Sequence, residues 1–146
     1  MKKIILFASG SGSNAENIIR YFQEKKTAEV VAVFSNNPSA KVLEKASNLH
    51  VFTSVFTKED LNSGEVLLKL NAFQPDLIVL AGFLWKFPDE IVTAYPDKII
   101  NIHPALLPKY GGKGMYGMNV HKAVLENKES HSGISIHYVN ENYDEG

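Results

Sequence analysis

Apolar residues in this chain fall into short unbroken runs, and the stretches between them carry a helical beat. The runs are "IILFAS" (4–9), "EVVAVFS" (29–35), "VFTSVF" (51–56), "DLIVLAG" (76–82) and "KIINIH" (98–103). None alternates strictly, which is the pattern of strands whose two faces are both covered by helices. Between the first two runs, Ala15, Ile18, Ile19 and Phe22 stand at i, i+3, i+4 and i+7, one face of a helix. Val66, Leu67, Leu70 and Phe73 carry another such face, broken before Pro75. Asn37-Pro38 reads as a helix cap followed by proline at the first helical position, which predicts a helix from there through about Leu49. The closing "SGISIHYVNENYDEG" reads as a strand and then a polar loop. The expected architecture is α/β: an open, mainly parallel, Rossmann-like sheet with helices on both faces, in a single domain over residues 1–146. Such folds end on a strand or helix packed against the sheet, so a further C-terminal segment is expected beyond Gly146.

Composition narrows the classes of function. At 146 residues and 45% hydrophobic, the chain can bury one sizeable core. Its net charge is −1 with Lys and Arg scattered, and no basic stripe points to nucleic acid. Cysteine is absent, which removes disulfides, thiolate catalysis and cysteine-ligated zinc, and fits a reducing, cytoplasmic setting. The opening "MKKIILFASG" places two lysines before an apolar run, as a signal peptide does. The run from Ile4 to Ala8 is too short for that purpose and glycine follows at once, so the segment reads as a first strand. No apolar stretch approaches the length of a membrane span.

In open sheets of this kind, ligands sit beyond the carboxyl ends of the strands. That rule puts Gly10 to Asn14, Ser35 to Asn37, Gly82 to Phe87 and Asn101 to Pro104 on one rim. The first of these segments, "GSGSNA", satisfies G-x-G-x-x-A between a strand and a helix. Its glycines let backbone N–H groups approach a phosphate at the positive end of a helix. A dinucleotide site also needs an acidic residue at the end of strand two, and that strand ends "FSNNP". A phosphate monoester is the favoured ligand, and a tight turn with nothing bound is the competing reading.

Five histidines supply the other candidate chemistry. His50 and His131 read as surface or edge residues. His121, in "NVHKAVLEN", reads as a packed or solvated helix residue, and His137 as a structural hydrogen-bonding group on a strand. His103 differs, because it stands two residues from Asn101 on an extended segment and both project to one side. Pro104 then stiffens the exit from the strand. An amide can donate to a developing oxyanion, and an imidazole can move a proton near neutral pH. Spacing alone leaves catalysis and a structural role equally open. No histidine pair has ligand spacing and no carboxylate cluster accompanies one, so no metal is expected.

Taken together and in order, "FASGSGSN", "DLIVLAGF", "NIHPALLP" and "SIHYVNENYDEG" resemble the phosphoribosylglycinamide formyltransferase family, the folate-dependent formyltransferases of purine (IMP) synthesis. The likeness runs from Ile4 to Gly146. It implies a formyltransferase-like fold and formyl transfer from 10-formyltetrahydrofolate to the amine of glycinamide ribonucleotide. It further implies that Gly12, Ser13 and Asn14 hold the substrate phosphate and that Asn101 stabilises the oxyanion. His103 would then transfer the proton and Asp144 would orient it. Leu84, Trp85, Lys86 and Phe87, with Asn101, would line the folate pocket. Amine attack on a formamide-like carbon requires positioning, oxyanion donors and a proton path rather than a metal or a covalent enzyme intermediate.

The sequence departs from that pattern at two places. Many members carry Met-Arg-Ile-Leu after "LAGF", and here the stretch is "LWKF". Two readings stand: Lys86 reaches a folate carboxylate in place of the arginine, or Trp85 and Phe87 pack beneath the loop. The segment "KYGGKGMYGMNVH" is longer and richer in glycine than its counterpart, as expected of a flap. Other readings of the function are methionyl-tRNA formyltransferase, formyltetrahydrofolate deformylase, and a non-catalytic nucleotide-binding module. The sequence does not indicate an oligomeric state.

Overall fold

The computed structural model describes residues 1–103 and the strand at 135–138. Among the described residues, six strands form one sheet: β1 (Lys2–Phe7), β2 (Ala28–Ser35), β3 (Phe52–Val55), β4 (Leu77–Ala81), β5 (Ile99–His103) and β6 (Ser135–Tyr138). Their spatial order is β3-β2-β1-β4-β5-β6. The first five are mutually parallel and β6 runs antiparallel to β5. This is the open α/β sheet expected from the unbroken apolar runs. The chain leaves β1 toward β2 on one side and later returns to lay β4 on the other. The gap between β1 and β4 is therefore the point where strand order reverses, and in open sheets of this kind ligands bind outside the carboxyl ends at such a point.

Five helices among the described residues pack on the two faces. Helix α1 (Ser13–Lys25) buries Ala15 and Ile19, as its spacing predicts, and carries Glu16 in its first turn and Lys25 in its last, where each complements the helix dipole. Helix α2 spans Lys41–Asn48, three residues later than Asn37-Pro38 suggests. Asn37 caps a turn instead: its side-chain oxygen accepts the Ser39 N–H at 3.0 Å and its carbonyl accepts the Ala40 N–H at 3.1 Å. The region before β4 holds two helices rather than one. Helix α3 (Lys58–Ser63) starts with a capping box between Thr57 and Asp60, and Gly64, at φ 96°, ends it and opens α4 (Glu65–Phe73). Helix α5 (Asp89–Ala94) follows Pro88. No helix among the described residues is long and apolar enough to cross a membrane.

One face of the sheet packs α1 and α2 onto Ile4, Leu6, Val30, Val33 and Val79. The other packs α3, α4 and α5 onto Ile5, Phe7, Phe34, Ile78 and Ile99. At the amino end, the start of β4 is fastened to β1. The Lys3 N–H donates to the Asp76 carboxylate at 2.8 Å, and the Asp76 N–H donates to the Lys3 carbonyl at 2.8 Å. The donated Lys3 N–H, aided by nearby lysines, holds the Asp76 carboxyl below its ordinary range.

Candidate functional site at the carboxyl ends of the strands

The turn after β1 is set by a glycine whose backbone conformation and close packing both disfavour a side chain. Gly12 is the N-cap of α1, with φ 72° in the left-handed region and no side-chain cap. A Cβ at this position would overlap the Val42 side chain and reach within 3.0 Å of its Cα. The packing is close because the Val42 N–H donates to the Gly10 carbonyl at 3.1 Å, so the start of α2 rests on the turn. Ser13 and Asn14 are the first two residues of α1. With no side chain capping that end, its first-turn N–H groups form a site suited to an anion. Nearby, Glu16 pairs with Arg20 at 3.1 Å and with Lys45 at 3.9 Å, which ties α1 to α2.

Three rim segments meet at Ser9, a residue the sequence reading left without a role. Ser9 is buried. Its N–H donates to the Gly82 carbonyl at 3.1 Å, and its hydroxyl accepts the Leu84 N–H at 2.9 Å and donates to Asn36 Oδ1 at 2.7 Å. The ends of β1, β2 and β4 are thereby joined across the point where strand order reverses. A serine directly after an apolar strand and before the glycine turn is the only sequence signal for this, and it says nothing of the partners.

The segment from Gly82 to Phe87 divides its side chains. Gly82, Leu84 and Lys86 are exposed, and Trp85 is half-buried. Trp85 packs edge-on against Phe56 at 6.2 Å and Phe83 at 6.4 Å, with Lys58 Nζ 5.6 Å from its ring centre. Phe87 lies in the core, 4.7 Å from the Phe7 ring. Of the two readings of this stretch, packing beneath the loop therefore holds for the Phe87 side chain, which leaves only its backbone for a ligand. Leu84 presents an exposed side chain, and its N–H is already taken by Ser9.

On β5 the faces alternate: Ile99 belongs to the aromatic core, and Ile100 and Ile102 pack against the aliphatic one. Asn101 is half-buried and stands level with Leu80 of β4 on one side and His137 of β6 on the other. His103 takes the last position of β5, level with Ser135. Thus Asn101 and the backbone of His103 lie on the same rim as Gly12 and Leu84, whereas Pro104, His121, the 109–119 loop and Asp144 lie outside the described residues. Among the described residues, no group of three or more His, Asp or Glu is placed to hold a metal ion.

Residues 2–146 match the family model described as "Formyl transferase". The chain is 41% identical to a chloroplastic phosphoribosylglycinamide formyltransferase of Arabidopsis thaliana, over 99% of this chain and 52% of the relative. It is 35% identical to the phosphoribosylglycinamide formyltransferase of Bacillus subtilis, over 100% of this chain and 75% of that one. Among solved structures, glycinamide ribonucleotide transformylase 1 from Geobacillus kaustophilus superposes with a TM-score of 0.83 at 35% identity, covering 100% of this chain and 78% of that one. The chain spans about half the length of the plant relatives it matches, 52% and 48%. A family match over nearly every residue, joined to a shared fold, means that the chain belongs to the formyl transferase family.

Proposed function

We propose that this protein transfers the formyl group of 10-formyltetrahydrofolate to the amine of glycinamide ribonucleotide, a step of purine synthesis, in a reducing, cytoplasmic setting. The observation that carries the reading is the convergence on one rim of an uncapped helix start at Gly12, the Gly82–Phe87 segment and Asn101. The 35% identity to two bacterial phosphoribosylglycinamide formyltransferases supports it.

In this reading the backbone N–H groups of Gly12, Ser13 and Asn14 hold the ribonucleotide phosphate, and the half-charge at the helix start favours the anion. The folate supplies an electrophilic formyl carbon. Leu84, Trp85, Lys86 and Phe87 form the wall beside it, Phe87 through its backbone. The exposed Leu84 side chain and the exposed Lys86 suit a ligand that is apolar at one end and acidic at the other. Asn101 donates an amide N–H to the formyl oxygen as that oxygen gains charge. His103 carries the proton, with Asp144 orienting it, from the attacking amine toward the departing folate nitrogen, so that the C–N bond formed and the C–N bond broken exchange one proton between them. Holding both reactants on one rim removes most of the entropic barrier to their meeting.

The deciding experiment is an assay of the full-length protein with 10-formyltetrahydrofolate and three acceptors: glycinamide ribonucleotide, water and methionyl-tRNA. Transfer to the ribonucleotide is expected to dominate. Preferential hydrolysis, or transfer to the tRNA, would replace this reading with a deformylase or a tRNA-modifying one.

A further inference from the structure

Ser9 sits at the end of β1, flanked by β2 and β4, at the reversal of strand order. It is 6% exposed, so its hydroxyl must find its partners within the protein. The partners fix the direction of each bond. The Leu84 N–H can only donate, so the Ser9 oxygen accepts it at 2.9 Å. The one hydroxyl hydrogen is then given to Asn36 at 2.7 Å, which requires the amide oxygen of Asn36 to face Ser9 and turns its NH2 group away. A relay results, from the Leu84 N–H through the Ser9 hydroxyl to the Asn36 carbonyl, and the Ser9 N–H adds a bond to the Gly82 carbonyl at 3.1 Å. The partners lie 75 and 27 residues away in sequence. Ser9 also directly precedes the Gly10–Asn14 turn, so whatever shifts Ser9 shifts that turn.

We infer that Ser9 is a positioning residue that locks the Gly82–Leu84 segment and Asn36 to the glycine turn, so that the half of the site for the phosphate-bearing substrate and the half for the folate assemble together. This inference rests on the formyltransferase reading for the identity of the two ligands. A buried serine that merely satisfies its neighbours would affect stability alone. A positioning serine affects the affinity of both ligands while sparing the chemical step, because Asn101 lies on β5 and is not one of the relay's hydrogen-bond partners.

The test compares the full-length wild type with Ser9→Ala and Ser9→Thr. Trp85, the single tryptophan, follows Leu84 directly and reports on the segment without any ligand. Ser9→Ala is expected to shift the Trp85 emission and near-UV circular dichroism. It should weaken binding of both glycinamide ribonucleotide and a folate analogue by about tenfold each, the size of one buried hydrogen bond, with kcat within about threefold of wild type. Ser9→Thr keeps the hydroxyl and is expected to restore both affinities. An unchanged Trp85 spectrum, or weakening of only one ligand, overturns the coupling. If Ser9→Ala does not fold, Asn36→Ala cuts one arm of the relay. It should move the Trp85 signal in the same direction by less and weaken the ribonucleotide measurably, and a variant altered in neither overturns the inference. A wild type that transfers no formyl group sinks the formyltransferase reading alone, since the Trp85 comparison still decides the role of Ser9.

Discussion

The two faces of the sheet are packed with different kinds of side chain. Beneath α1 and α2 the buried residues are Ala, Val, Ile and Leu, with Ala15, Ala40, Ala46 and Ala81 among them. Beneath α3, α4 and α5 the buried set includes Phe7, Phe34, Phe56 and Phe87, with Phe83 and Trp85 packed against it. Small residues let helices approach closely, and the aliphatic face uses that closeness to bring the start of α2 onto the glycine turn. The aromatic face does the reverse. Its rings meet Phe7 at 5.1 Å (Phe34), 5.7 Å (Phe56) and 4.7 Å (Phe87), within the range of favourable tilted and edge-to-face pairs. That plate continues upward into the Gly82–Phe87 segment, which is fixed from below by Phe87. One half of the rim is thus shaped by an absence of side chain and the other by an excess of it. The lesson is that a close backbone approach and a stiff apolar wall need opposite packing, and a sheet with two faces can supply both.

The largest expected effect breaks the aromatic side. Phe7→Ala removes the ring at the centre of the cluster and should destabilise the fold by about 3–5 kcal/mol, read from urea unfolding. A loss under about 1 kcal/mol would mean that the remaining rings close the gap and that the plate is not a unit. Next comes the rim itself. Under the proposed formyl-transfer reading, in which the Asn101 amide would act on charge that develops only in the transition state, Asn101→Ala should lower kcat by about a hundredfold with little change in KM. A raised KM with an unchanged kcat would make Asn101 a ground-state binding group instead.

On the aliphatic side, Gly12→Ala should destabilise by about 2 kcal/mol, from left-handed strain together with overlap on Val42. Adding Val42→Gly removes both the Cβ and the Cγ2 that overlap and leaves the left-handed strain, so the pair should cost less than the two single changes summed. Strict additivity would show that the close approach of α2 is not what constrains Gly12. The smallest effect lies at the amino end of the sheet, remote from both halves of the rim. The folded-state pKa of Asp76 is lowered, chiefly by the Lys3 N–H, so its stabilisation is present above the ordinary carboxylate value and is lost as pH falls from there through the lowered folded-state value. Asp76→Asn should therefore narrow the difference in Tm between about pH 7 and about pH 3. An unaltered difference would show that the exposed carboxylate adds nothing measurable.

Much of the scaffold could be read before any coordinates. Unbroken apolar runs mark β1, β2, β4 and β5, because a strand buried on both faces has no reason to alternate. Strand β3, at the sheet edge with Phe52 and Val55 exposed, is marked only by its aromatic and β-branched residues. The helical face of Ala15, Ile18, Ile19 and Phe22 marks α1 for the equally local reason that 3.6 residues make a turn. The capping box at Thr57 and Asp60 is also present in the sequence, but α3 has only 6 residues and too little periodicity to stand out as a helix. Asn37-Pro38 misled for a related reason: an asparagine caps a turn as readily as a helix, and the start of α2 is chosen by the bond from Val42 to Gly10, a distant residue.

The sequence by itself determined the α/β class, the glycine turn between strand and helix, and the placing of Asn101 near a strand end, all carried by neighbours along the chain. Tertiary structure alone decided that Phe87 faces the core and Leu84 the solvent, that a methyl group at Gly12 would meet Val42, and that Ser9 joins Asn36 and Leu84. Each of these depends on which residues from distant parts of the chain are brought within a few ångströms. Periodicity and propensity describe a segment against its own axis, and they hold no record of what the next layer of the fold lays upon it.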